Sequence, residues 1–140
     1  MKKINLLMRV LSLVLLLNIF SCAGGTEGAA VVPPVVVPET TTYTVTNSGA
    51  SDYVFNSVVD PTLTLRRGTT YTFNLSVSGH PFYIKTAQVT GTGSAYNDGV
   101  TTNGAETGAF TFTVPMTAPS TLYYICSLHG AMTGIINIIN

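Results

Sequence analysis

Cysteine, histidine and methionine follow one another at three-residue steps in Y-Y-I-C-S-L-H-G-A-M, residues 123–132, as Cys126, His129 and Met132. The chain has two cysteines and two histidines in all, so this stretch takes one of each. A thiolate, an imidazole and a thioether on one short turn between strands can converge on a point. That donor set is soft and contains nitrogen, which suits copper cycling between Cu(I) and Cu(II). Two imidazoles and a thiolate in a plane, with a weak axial thioether, form the electron-transfer copper geometry. The plane requires a second imidazole, and His80 in S-G-H-P-F-Y-I (78–84) is the only other histidine. Taken singly, each residue has a plainer reading. Cys126 suits a small buried hydrophobe, His129 a solvated turn, His80 a strand end, and Met132 core filling beneath the loop.

The elements that must position these residues are short strands. T-Y-T-F-N-L-S-V (70–77) alternates strictly, putting Tyr71, Phe73, Leu75 and Val77 on one face. A-F-T-F-T-V (109–114) does the same with Phe110, Phe112 and Val114, and P-T-L-T-L-R-R-G (61–68) alternates into a turn glycine. Further strands are expected over 43–46, 52–56, 81–86, 122–126 and 134–139. No sustained helical period occurs, and turn residues separate the runs. The expectation is an all-β, Greek-key β-sandwich of about seven to eight strands. Residues 87–108, rich in glycine and threonine, are long for a bare connection and are expected to hide a short strand or helical turn, or to form a surface lobe. Tyr123 and Tyr124 read as sheet packing, and Arg66 and Arg67 as a solvated corner.

The N-terminus is a different kind of sequence. Lys2, Lys3 and Arg9 precede an apolar run, Val10 to Leu17, too short to span a bilayer comfortably. This reads as a secretory signal over 1–21, with a lipobox-like Ile19-Phe20-Ser21-Cys22 and cleavage before Cys22, which would carry lipid. Phe20 is bulkier than that pattern usually has, and a soluble exported protein is the alternative. Residues 22–42, with three prolines, read as a flexible Gly/Pro-rich tether, or as an extra edge strand through Val35 to Val37. Without the signal, three basic residues (Arg66, Arg67, Lys85) face six acidic ones, a formal charge of −3. No basic patch remains, which argues against a nucleic-acid partner. With Cys22 lipidated, Cys126 is an unpaired thiol in an oxidising compartment, a residue that needs a reason.

Residues 43–140 resemble a cupredoxin, of the plastocyanin and amicyanin kind. L-T-L-R-R-G-T-T-Y-T-F-N-L (63–75), Gly79-His80, F-T-F-T-V-P (110–115) and T-L-Y-Y-I-C-S-L-H-G-A-M-T-G-I-I-N-I (121–138) carry the likeness in the family's order. The step from Cys126 to His129 to Met132 matches amicyanin's short loop. The resemblance implies a cupredoxin-like sandwich with one copper ion held by His80, Cys126, His129 and Met132. It also implies a redox partner docking on the small and apolar residues Leu128, Gly130 and Ala131 around His129. One departure stands out. The family usually has an asparagine after the first histidine, whose N–H donates to the thiolate; Pro81 has no N–H to give.

A one-electron carrier, lipid-anchored to a bacterial membrane and facing the periplasm or cell surface, is therefore the leading expectation. A non-redox cupredoxin-like binding module using 87–108, and a copper-handling chaperone or sensor, are the alternatives. An enzyme is disfavoured: two histidines cannot make a three-histidine catalytic metal site. No G-x-S-x-G turn and no paired carboxylates near strand ends are found, and no small-molecule substrate is expected.

Overall fold

The computed structural model describes residues 39–140. The signal, Cys22 and most of the tether lie outside the described residues. Among those described there are nine strands and no helix: β1 (Thr42–Ser48), β2 (Asp52–Phe55), β3 (Val58–Val59), β4 (Leu63–Arg66), β5 (Thr70–Ser76), β6 (Phe82–Lys85), β7 (Thr107–Thr113), β8 (Thr121–Cys126) and β9 (Thr133–Ile139). They form two sheets, ordered β3-β2-β1-β5-β7 and β4-β9-β8-β6. The all-β sandwich expected from alternation is what the chain adopts. Eight of the strands coincide with expected runs; β3 was not foreseen.

Alternation explains the core. Tyr71, Phe73 and Leu75 of β5 and Phe110 and Phe112 of β7 are all buried between the sheets, while their neighbours along the strand face outward. From the other sheet Phe82, Ile84, Leu122 and Tyr124 meet them. The rings interlock edge to face, with Phe82 against Phe110 at 5.2 Å and against Tyr53 at 5.2 Å between centroids. Each such pair contributes about 0.5–1.5 kcal/mol beyond its buried area, so the floor beneath the start of β6 is stiff.

Of the 87–108 segment, residues 87–106 form neither a named strand nor a helix, and Thr107 and Gly108 begin β7. The segment lies along the outermost strands of both sheets through isolated bridges, Phe82 with Ala105, Lys85 with Ala95 and Val100 with Phe112. The Tyr96 N–H donates to Ile84 O (2.8 Å), and the Thr113 N–H to Gly99 O (2.8 Å). The Gly99 backbone runs so close to Thr113 that a Cβ would collide with its carbonyl. The lobe thereby covers two sheet edges that would otherwise present unpaired backbone groups.

Candidate metal centre

His80 ends a tight turn. Its N–H donates to Val77 O at 2.9 Å, and Gly79 takes φ +82°, the left-handed value such a turn needs at its third residue. Glu106, at the end of the lobe, holds this turn twice. Its carboxylate accepts from the Gly79 N–H (2.7 Å) and its carbonyl from the Val77 N–H (2.9 Å). Tyr53 reaches from β2 to donate its hydroxyl to His80 O at 2.8 Å. The Tyr53 phenol is pushed far above its ordinary pKa, first by burial and then by Cys126 beside it, so it remains a protonated donor.

Cys126 is the last residue of β8 and lies in register with Phe82 of β6. That pairing brings the end of β8 beside the start of β6, and so beside His80. The closing turn then bonds to itself. The Cys126 N–H donates to Met132 O (3.0 Å) and the Met132 N–H to His129 O (3.2 Å). The Leu128 N–H donates to Cys126 Sγ at 3.4 Å. Pro81 has no N–H, yet its carbonyl accepts from the Ser127 N–H at 3.1 Å, tying the two arms in the reverse sense.

The result is a cluster. Nδ1 of His80 and Nδ1 of His129 are 3.1 Å apart, and Nδ1 of His129 is 3.5 Å from Cys126 Sγ. One donor atom from each of His80, Cys126 and His129 lies within 4.8 Å of the others. Donors in a plane about 2.0–2.3 Å from a shared ion would be spaced about 3.5–3.7 Å from one another. Two of the three spacings, 3.1 and 3.5 Å, lie near those of a trigonal site and the third is within 4.8 Å, and the one sulfur and two nitrogens suit copper. Cys126 is a free thiol and fully buried, Met132 is also buried, and both imidazoles are half-buried. Leu128 is 63% exposed, with Gly130 and Ala131 exposed beside it.

The lobe also braces the closing turn, which the sequence did not suggest. The Gly91 N–H donates to Ser127 O at 2.7 Å. Asn103 accepts from the Ile84 N–H (2.8 Å) and donates to Tyr96 O (2.8 Å). Tyr53, Glu106 and Asn103 are the supporting residues that sequence reasoning missed. For Tyr53 a signal existed: an inward tyrosine on an apolar face needs a partner for its hydroxyl.

No protein-family model matches the chain, and no curated protein sequence does. Solved structures do match. The copper protein rusticyanin is 21% identical over 74% of this chain and 80% of its own, with a TM-score of 0.51. Rusticyanin from Thiobacillus ferrooxidans is 22% identical over 74% and 79%, with a TM-score of 0.50. These likenesses establish the cupredoxin fold.

Proposed function

We propose that the chain is a mononuclear type 1 copper protein carrying single electrons on the exported side of a bacterial membrane, anchored by lipid on Cys22. One observation carries this reading: His80, Cys126 and His129, from two distant parts of the sequence, offer two nitrogens and a sulfur within 4.8 Å of one another. Bound there, copper supplies a one-electron Cu(I)/Cu(II) couple. His80, Cys126 and His129 would hold it through two imidazole nitrogens and a thiolate, with the Met132 thioether as the further sulfur donor. The cross-loop bond from Ser127 to Pro81 and the aromatic floor hold these donors in one arrangement. A frame that does not rearrange suits both oxidation states. The half-buried His129 ring, ringed by exposed Leu128, Gly130 and Ala131, offers a redox partner an uncharged route to the site. The lobe bonds its polar groups largely to the sheet edges and ligand arms, which favours a bracing role over recognition of another molecule.

Titration of the purified protein with Cu(II) tests this. The expected product has an intense visible thiolate-to-copper band and narrow copper hyperfine splitting in electron spin resonance. Reversible voltammetry with slow metal loss marks a carrier; rapid metal exchange marks a chaperone. A colourless protein that leaves copper in solution refutes the proposal.

A further inference from the structure

Lys85 is the one charged side chain fully buried among the described residues. Phe82 and Ile84 turn into the core, so alternation turns Lys85 to the outer face of its sheet. Main chain covers it there. Its ammonium donates to Val89 O at 2.8 Å and to Gly91 O, and lies 5.2 Å from the Tyr83 ring centroid. A buried charge is costly unless hydrogen-bonded, so it keeps hold of these carbonyls. Residues 88–91 are exposed and belong to no strand, and a segment with so little packing of its own opens easily. Lys85 pins it from beneath. The pinned segment in turn lies against the closing turn. The Gly91 N–H donates to Ser127 O at 2.7 Å. The Gln88 side-chain amide donates to Thr133 Oγ1 at 3.2 Å, and the Thr133 hydroxyl donates to Tyr124 O at 2.8 Å. Thr90 Cγ2 lies 3.5 Å from where a Cβ on Gly130 would sit. Ser127 then donates its own N–H to Pro81 O at 3.1 Å, on the residue after His80. One line of hydrogen bonds therefore runs from Lys85 through Gly91 and Ser127 to the other arm.

We infer that residues 88–91 are a strap holding the closing turn against the His80 arm, with Lys85 as its positioning residue, and that the strap slows metal release. The release claim rests on the copper reading above; the strap does not. The turn takes its shape from its own bonds, Cys126 to Met132 and Met132 to His129. The strap sets how firmly that turn, moving as a unit, stays beside His80. Donors from two arms share an ion only while the arms stay together, so the rate of metal loss follows this local opening.

The full chain is tested as Lys85→Met and Gln88→Ala. Without metal, amide hydrogen exchange at Gly91 and Ser127 is expected to quicken roughly tenfold in Lys85→Met, as for the loss of a charged anchor. At Met132, whose N–H is bonded within the turn, exchange is expected to stay unchanged. Gln88→Ala, an exposed and neutral anchor, is expected to quicken Ser127 roughly two- to fivefold, and it keeps the test open should Lys85→Met not fold. With copper, both variants are expected to keep the wild-type visible band and to lose Cu(II) to excess EDTA faster, by the factor seen at Ser127. Unchanged exchange at Gly91 and Ser127 overturns the strap, and equal acceleration at Met132 overturns the turn's moving as a unit. Unchanged copper loss in a variant whose Ser127 exchange quickens overturns the release claim. A wild-type protein that stays colourless with Cu(II) overturns the copper reading and the release claim with it, while exchange still decides the strap.

Discussion

The two arms that bring donors together are held by opposite means. The closing turn is bonded mostly to itself, Cys126 to Met132, Met132 to His129, and Leu128 to the sulfur, with Ser127 its tie to Gly91 and Pro81. The turn at His80 is held mostly from outside, by the Tyr53 hydroxyl from β2 and the Glu106 carboxylate from the lobe. A self-bonded loop keeps its shape wherever its own residues are present. A turn held by remote segments keeps its shape only while those segments stay packed. Disturbing the frame should therefore move His80 before it moves Cys126 or His129.

The largest effect comes from the arm that supplies the sulfur. Cys126→Ser is expected to abolish the coloured centre. It should weaken copper binding by more than about 100-fold, beyond the 10–100-fold usual for outer supporting partners, as read by calorimetry. Tyr53→Phe separates the two arms. It leaves the His80 carbonyl without its 2.8 Å partner, which should cost about 1–3 kcal/mol in denaturant unfolding. Hydrogen exchange should quicken at the His80 amide and stay unchanged at Leu128; equal acceleration at both would erase the distinction between the arms.

The same contrast governs what the sequence disclosed. That Cys126 and His129 come together was legible because their three-residue spacing on one turn sets a local geometry. His80 was legible only as the remaining histidine. The sandwich was legible because Phe110, Phe112 and Val114 alternate, and alternation requires a buried face. Tyr53 and Glu106 were not, since each acts on a turn 27 residues away in the chain. β3 was missed because Val58 and Val59 are both exposed and too few to alternate. It pairs because Asn56 and Ser57, at φ 46° and 72°, make a tight hairpin turn. The lobe has no period of any kind, because its backbone follows sheet edges and not a face.

Two smaller predictions sharpen the comparison. Pro81→Asn offers the thiolate a backbone donor from the His80 arm, where the structure shows a backbone donor from Leu128. One further N–H···S bond, about 1 kcal/mol, should raise the midpoint potential by about 40 mV in voltammetry. Asp60, which accepts the Tyr53 N–H at 2.9 Å, has its carboxyl raised to about 6, chiefly by burial. The folded chain thus keeps a proton that the unfolded chain releases once the pH exceeds about 4. This contribution is complete below that pH and is lost as the pH rises through about 6. Asp60→Asn keeps an acceptor oxygen and removes the titration. It should flatten the fall in melting temperature between about pH 4 and 7, an effect worth less than about 1 kcal/mol at this partly exposed site.

X-ray absorption at the copper edge of the loaded protein tests the central claim most directly. Convergence of both arms on one ion predicts a single short sulfur neighbour and two imidazole nitrogens at about 2.0–2.1 Å. A first shell of oxygens without sulfur, or with one imidazole only, would contradict it.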